Sequence, residues 1–271
     1  MQAIYPVCAA VLILAACAPA GPPTRTGGAP ASQLSAAQKS TIGRKIWQNE
    51  CGGTVTGLTT WNAGEEFPSL GIGHFIWYPA GVKGRFKESW PQFIAFAKQK
   101  GATPPAVALE AASPWRSKAE FQRDFNGPRL TGLRDWLAAT VGLQTDFIIA
   151  RSHAALPAML ATAPGSERAK IEANYRKVGT TPNGTYALID YVNFKGDGTL
   201  ATERYQGQGW GLLQVLAGMR EVPAGQAAAA EFAASAKRML SRRVANAPAE
   251  RGESRWLPGW HNRCATYAKS L

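Results

Sequence analysis

The sequence predicts an α+β fold that is mostly helical, with one small β-hairpin or sheet near its N-terminal end. The helices are indicated by apolar residues that recur three and four positions apart along most of the chain, between prolines and glycines. The sheet is indicated by residues 54–60, which are rich in Thr, Val and Leu, by the turn signal Asn62-Ala63-Gly64, and by residues 67–78, which are expected to return as extended chain. The chain has 271 residues, which is enough for one sizeable core.

Residues 1–16 carry no charge and are mostly apolar. They are too few to cross a bilayer as a helix, which needs about 20 residues, and they are typical of a signal peptide. They end in Leu14-Ala15-Ala16-Cys17, which resembles the bacterial lipobox, in which Cys17 is lipidated and becomes the mature N-terminus. No Lys or Arg precedes the apolar run, so a plain signal peptide and a misassigned start remain as alternatives. Because Ala18 follows the cysteine, the resemblance implies a lipid anchor on the periplasmic face of the outer membrane.

Residues 17–34 are rich in Pro, Gly, Ala, Ser and Thr. This composition cannot bury a core, so it predicts a flexible tether. Ser35 is a good N-cap for the helix that follows it, and it marks the start of the folded domain, residues 35–271.

The first predicted helix ends at Gly52-Gly53, a pair suited to the left-handed turn that closes helices. Glu50 therefore lies in the last turn, where the partial negative charge of the carbonyl groups disfavours a carboxylate. Trp47, one turn earlier, is expected to keep Glu50 partly dry. Both effects raise a carboxyl pKa, as a general acid working near neutral pH requires. An ordinary solvated glutamate near a helix end is the alternative.

The stretch after this helix resembles a known family. Glu50, then a small hairpin, then Ser69-Leu70-Gly71-Ile72-Gly73-His74 is similar to the start of phage-type lysozymes, which carry Thr-Ile-Gly-Ile-Gly-His or a close variant there. The match covers roughly residues 44–79. A weaker echo, Leu257-Pro258-Gly259 and the segment up to Arg263, lies near the C-terminus. The resemblance implies a lysozyme-like fold.

The resemblance also implies roles. Glu50 takes the general-acid position, Ser69 that of the family's cleft Thr, and His74 that of the structural His that closes the hairpin. Where the family usually has a hairpin Asp, this chain has Ala63. Residues an even number apart share a face of extended chain, so Glu65 points to the same side as Ser69. Glu65 is therefore the predicted second carboxylate, with a solvated turn acid as the alternative.

This pair of carboxyl groups predicts glycoside cleavage. The resemblance implies a muramidase, which cleaves peptidoglycan: Glu50 protonates the glycosidic oxygen, and Glu65 or a water held by Ser69 acts on the opposite face. Lytic transglycosylation stays open because one acid suffices if the substrate's own hydroxyl attacks, and chitosan or chitin is a further substrate class. The competing hypothesis is a non-catalytic envelope lipoprotein that keeps a lysozyme-like cleft for glycan binding, which the missing hairpin Asp favours.

Helical patterns dominate the rest of the chain, and one segment between them resembles a binding site. Residues 202–214 alternate polar and aromatic side chains around three glycines, so the backbone there can approach a ligand closely. With His74, the expected substrate-binding residues are Glu203, Tyr205, Gln208 and Trp210. A surface loop that caps the next helix is the alternative. The predicted helices cover residues 90–100, 117–125, 129–140, 143–161, 166–178, 186–194, 210–219, 224–244 and 260–269.

The chain has four cysteines. Cys8 would be lost with the signal peptide and Cys17 would carry lipid, which leaves Cys51 and Cys264. In an oxidising envelope this pair is a disulfide candidate, which would fasten the C-terminal helix to the end of the Glu50 helix. Loop-closure entropy alone would give such a bridge roughly 5 kcal/mol. Two buried thiols are the alternative.

The net charge of +12 favours anionic partners. A tethered secreted protein meets nucleic acid rarely, whereas peptidoglycan bears lactyl and peptide carboxylates, and nine tryptophans offer flat faces for sugar rings. We therefore expect peptidoglycan or a related amino-sugar glycan as partner, no nucleic acid, and a monomer. No His/Cys/Asp cluster has metal-ligand spacing and no glycine pattern indicates a phosphate loop, so we expect no metal and no cofactor.

Overall fold

The computed structural model of the chain describes residues 34–84 and 86–271. The predicted signal peptide, the lipidation site Cys17 and all but the end of the predicted tether lie outside the described residues. Residues Ser32–Leu271 belong to one unit. Its helices are α1 (Ala36–Cys51), α2 (Trp90–Gln99), α3 (Lys118–Arg123), α4 (Pro128–Ala139), α5 (Val141–Thr162), α6 (Gly165–Val178), α7 (Pro182–Lys195), α8 (Leu212–Ala217), α9 (Gln226–Asn246) and α10 (Leu257–Thr266).

The strands are short and form two antiparallel sheets in the described part of the chain. The first sheet has three strands, and the second is a two-stranded hairpin. This architecture confirms the predicted α+β class. The strands are β1 (Thr59–Thr60), β2 (Ser69–Leu70), β3 (Phe75–Ile76), β4 (Arg204–Tyr205) and β5 (Gln208–Gly209).

Helix α1 begins and ends where its local signals predict. The Ser35 hydroxyl accepts from the Gln38 N–H at 3.2 Å, and the Gln38 side chain accepts from the Ser35 N–H at 2.8 Å, so both members of a capping box are formed. At the other end Gly52 adopts the left-handed conformation (φ 61°) that closes helices, and its N–H donates to the Trp47 carbonyl. Glu50 consequently lies in the last turn, as predicted.

The first sheet differs from the predicted hairpin. Residues 67–78 were expected to return as one extended segment, but Gly71 (φ 71°) starts a tight turn that splits them into β2 and β3. Glycine tolerates this backbone conformation at no steric cost. Ser69 is thus on the middle strand, opposite Thr60 on one side and Ile76 on the other. The expected strand at residues 54–60 also begins with a 3₁₀ turn, Thr56–Leu58.

An aromatic cluster attaches this sheet to α2. Phe75 of β3 stacks on Phe93 with ring centroids 4.7 Å apart, and Trp77 stacks on Trp90 at 5.3 Å. All four side chains are fully or almost fully buried. Large buried aromatic rings dominate the energy of such contacts, so they fix the sheet firmly against the helices.

Helix α7 is the centre of the helical part. Its residues 183–192 are all buried, and it contacts α1, α5, α6, α8 and α9. Helix α10 packs against α9 and starts three residues earlier than predicted, because Pro258 occupies its first turn. The end of α7, the end of α1 and the buried face of α10 therefore converge beside the first sheet.

Candidate active site

Glu50 lies at this convergence, and its carboxylate has three protein partners. Arg263 Nη2 on α10 donates to Oε1 at 2.8 Å, and Asn193 Nδ2 at the end of α7 donates to the same oxygen at 3.3 Å. His74 Nδ1, in the turn between β2 and β3, lies 3.5 Å from Oε2. The Glu50 side chain is 14% exposed, so one edge of it stays accessible.

The predicted direction of the Glu50 pKa is wrong. Burial is the largest single influence and does raise the pKa, but the positive charges of Arg263, His74 and Lys195 together outweigh it and hold the pKa below its usual value. The carbonyl groups of the last helical turn and Trp47, on which the prediction rested, are all near Glu50 in the chain. Arg263 follows Glu50 by 213 residues, so the deciding charge comes from a different element.

Arg263 is itself fixed by a second, fully buried carboxylate. Its Nε and Nη2 donate to Asp190 Oδ2 and Oδ1, each at 2.8 Å, and the Tyr267 hydroxyl donates to Oδ2 at 2.6 Å. Asp190 has no exposed surface. Arg263 thus makes a bidentate pair with Asp190 and a single bond to Glu50, so its position is set mainly by α7.

The side chains of Glu65 and Ser69 are neighbours, and the charge of Glu50 acts on Glu65. The Ser69 side chain forms a hydrogen bond with Glu65, and Asn62 Nδ2 donates to Glu65 Oε2 at 3.0 Å. Burial raises the Glu65 pKa, these two hydrogen bonds lower it in part, and the Glu50 charge raises it further. The two carboxyl groups therefore interact, and their pKa values move in opposite directions.

A cavity of about 550 Å³ opens beside Glu65. Trp61 and Glu65 line one part of it, and the basic side chains of Lys83, Arg116 and Lys118 line another. This volume lies within the range of ligand sites. The lining carries these three basic side chains and two acidic ones, Glu65 and Glu66, so it suits a polar substrate.

His74 is held by the protein on both sides. Its Nδ1 lies near Glu50 and its Nε2 lies 3.5 Å from Thr60 Oγ1, while its backbone adopts φ 48° in the turn. Burial lowers its pKa, the Glu50 charge raises it, and Arg263 lowers it again. Because both ring nitrogens have protein partners, His74 closes the hairpin and positions Glu50. The prediction that His74 binds substrate is therefore corrected to a role in positioning Glu50.

The predicted binding segment 202–214 contains residues of two kinds. Tyr205 and Trp210 are 5% and 1% exposed, and their rings pack at 4.8 Å from each other, so the prediction that they bind substrate is wrong. They point inward because β4 and β5 form a hairpin around Gln206 and Gly207, both with positive φ, which turns one face onto α9. Gln208 is exposed.

Glu203 is half-buried, and its pKa is raised to about 7. Burial is the main cause and the nearby Asp197 adds to it, whereas Arg243 and the backbone and charge of Lys87 lower the value. Glu203 thus lies between the C-terminal helices and the loop before α2. It does not contact Glu50 through any hydrogen bond or ion pair in the part of the chain that the structure describes.

The predicted disulfide is not formed: Cys51 and Cys264 are both free and buried. The Cys51 thiol donates to the Gly71 carbonyl at 3.4 Å. Cys264 lies on the buried face of α10 near Asp190. Burial raises the pKa of each thiol to about 12. The alternative of two buried thiols is the correct one.

Three residues belong to this site but were not predicted from the sequence: Asn193, Asp190 and Lys195. A signal was present for two of them, because Asp190 and Asn193 are three residues apart and share one face of α7. Asn193 Oδ1 is buried and has no hydrogen-bond partner among residues 34–84 and 86–271. Arg263 ends the C-terminal segment that resembles the lysozyme family, and no role in the site was predicted for it.

The described residues include no group of three or more His, Cys, Asp and Glu side chains that could hold a metal ion. Within the same ranges, none of the helices is both long enough and apolar enough to cross a membrane. Comparisons of the chain with protein-family models, with curated proteins and with solved structures found no match. The resemblance to phage-type lysozymes is therefore carried by the motif residues themselves.

Proposed function

We propose that the chain is a glycosidase of the lysozyme-like type that cleaves peptidoglycan, with Glu50 as general acid and Glu65 as second carboxylate. One observation carries the proposal: two carboxyl groups on different elements interact, and their pKa values are displaced in opposite directions. Cleavage of a glycosidic bond needs one carboxyl group that holds a proton and one that does not. In the free protein this displacement favours the proton on Glu65 over Glu50, so the proposed roles require substrate binding to reverse it.

Substrate binding makes Glu50 the general acid, because it raises the Glu50 pKa. In the free protein Arg263 keeps Glu50 ionised, but Arg263 is bound to Asp190 twice and to Glu50 once. A sugar that binds at the accessible edge of Glu50 excludes water from it and leaves Arg263 on Asp190. Burial, the largest influence on the Glu50 pKa, then dominates and raises it.

The pKa of Glu65 then changes in the opposite direction to that of Glu50. The charge on Glu50 raises the Glu65 pKa, so protonation of Glu50 removes that influence and favours an ionised Glu65. Ser69, which is hydrogen-bonded to Glu65, is placed to hold the water or the hydroxyl that attacks from the opposite face.

Product analysis tests this function. Purified peptidoglycan is incubated with the protein, and the new ends are counted: hydrolysis produces reducing ends, whereas attack by the substrate's own hydroxyl produces anhydro ends. A chitin or chitosan digest run in parallel reports the substrate class. A folded protein that releases no fragments from any of these polymers would overturn the proposal.

A non-catalytic glycan-binding protein is the second candidate, and the lowered Glu50 pKa favours it. In that function the ion pair with Arg263 is permanent, and Glu50 serves only to hold α1 and α10 together. Peptidoglycan pull-down with no fragment release identifies this case.

The proposal also places the protein in the cell envelope as a lipid-anchored monomer. The basis is the lipobox-like segment that ends at Cys17, together with a net charge of +12 that suits an anionic glycan. Incorporation of radiolabelled fatty acid into the wild-type chain but not into Cys17→Ser tests the anchor, and an unlabelled wild type would remove it.

A further inference from the structure

We propose that Trp256, flanked by Trp260, forms a sugar-stacking subsite for an anionic glycan strand, with Arg255 binding its carboxylates. We call these three residues the tryptophan platform. The proposal rests on the proposed function for the identity of the glycan. It adds where the strand lies beyond Glu50 and which group recognises its charge.

The two indole rings are neighbours on one face of the chain. Trp256 precedes α10 directly and Trp260 lies one turn into it, with ring centroids 6.1 Å apart and planes inclined by 34°. Trp256 is 41% exposed, one of few large apolar side chains on the described surface that are so open. The exposed flat ring of Trp256 suits the apolar face of a sugar, whereas Trp260 is half-buried and its ring contacts Lys195 and Arg243.

A buried ion pair holds the platform rigid from beneath. Arg243 on α9 donates to both carboxylate oxygens of Glu253 at 2.7 Å, and its guanidinium lies 5.0 Å from the Trp260 ring centroid. Tyr205, one of the residues first expected to bind substrate, donates to Glu253 at 2.8 Å. A surface that is already ordered loses little conformational entropy when a ligand binds.

One exposed cation lies against the Trp256 ring and has no ion pair with a carboxylate in the part of the chain that the structure describes: the Arg255 guanidinium, 4.5 Å from the ring centroid. Lys195, whose Nζ is 3.6 Å from the Trp260 centroid, is not part of the platform, because burial holds its pKa well below the usual value. A guanidinium binds carboxylates well, and peptidoglycan supplies them at the lactyl and peptide groups.

The platform is continuous with the candidate active site. Trp260 and Arg263 are three residues apart on α10 and so share a face, and Phe194 connects them: its ring centroid is 6.5 Å from that of Trp260 and 4.0 Å from the Arg263 guanidinium. Arg263 in turn bonds Glu50. A strand whose scissile bond lies at Glu50 can extend along α10 to Trp256.

Binding is measured in the Glu50→Gln background, where the strand stays intact. Trp256→Ala is expected to weaken binding to purified peptidoglycan roughly three- to tenfold, and Trp256→Tyr to restore most of it. Leu109→Ala is the matched control, because Leu109 is 51% exposed but lies in another part of the fold. Arg255→Gln is expected to weaken binding to peptidoglycan roughly two- to fivefold at low salt and to leave binding to neutral chitin oligosaccharides unchanged.

Thermal denaturation of each variant confirms that it is folded. A folded Trp256→Ala that binds peptidoglycan as well as Leu109→Ala does would overturn the stacking subsite. Equal effects of Arg255→Gln on charged and neutral glycans would overturn the charge recognition. These results are independent of cleavage: a wild type that never cleaves removes the proposed enzyme, but it leaves the binding comparison intact.

Discussion

Glu50 and Arg263 are 213 residues apart in the chain and 2.8 Å apart in the fold. Their contact joins the last turn of α1 to α10, so the C-terminal helix completes a site that the N-terminal part of the chain begins. Arg263 is also the bidentate partner of Asp190, which has no exposed surface. The same arginine therefore fixes the fold and determines the charge state of the candidate general acid.

Exchange of Glu50 for Gln is expected to lower the rate of peptidoglycan cleavage by about 10² to 10⁴-fold, because the side chain keeps its shape but loses its proton donor. Glycan binding is expected to persist. Release of new chain ends is measured beside a pull-down on the same polymer. Glu250→Gln, at an exposed position, is the matched control. Cleavage by Glu50→Gln at the wild-type rate would exclude Glu50 as the acid.

Replacement of Arg263 by Met is expected to destabilise the fold by about 3 to 5 kcal/mol, because it leaves the buried Asp190 carboxylate without its partner. Arg263→Lys keeps the charge but not the bidentate geometry, so a smaller loss is expected. Urea denaturation gives both free energies of unfolding. In the Arg263→Met background, Asp190→Asn should recover part of the loss. Single variants that unfold at the wild-type urea concentration would show that the pair contributes no net stability.

Glu203→Gln is expected to stabilise the protein at pH 8 and to have little effect at pH 4. The folded state raises the Glu203 pKa from 4.5 to about 7, so folding favours the protonated form. The resulting penalty is absent below the unfolded pKa, grows as the pH rises through about 7, and is complete above it. Melting temperatures across this range test the sign, with Glu250→Gln as control. A stabilisation that did not change with pH would argue against ionisation as its cause.

The thiols of Cys51 and Cys264 are expected to react with an alkylating reagent after unfolding in urea without reductant. In the folded protein both are buried and burial raises each pKa to about 12, so reaction at pH 8 is expected to be slow. The experiment uses a Cys8→Ser, Cys17→Ser chain, so that only these two thiols are counted by mass. If the unfolded chain gains no label until it is reduced, the two cysteines are bridged.

The local sequence was sufficient to predict the framework. Ser35 and Gly52 define α1 because a capping hydroxyl and a left-handed glycine act within a few residues of themselves. Helical periodicity predicted the later helices because it reports which face of each segment is apolar. Because Glu65 and Ser69 are four residues apart in extended chain, they were predicted to lie on the same side, and the hydrogen bond between them is consistent with this prediction.

Tertiary structure decided the properties that depend on groups far away in the chain. The pKa of Glu50 is a sum of burial, which raises it, and of the charges of Arg263, His74 and Lys195, which lower it, and its sign depends on distances that only folding sets. Tyr205 and Trp210 have the composition of a binding loop, but packing against α9 buries them, with Arg243 against the Trp210 ring. Sequence patterns record local preference and amphipathicity, whereas electrostatic sums and burial are created when separate elements meet.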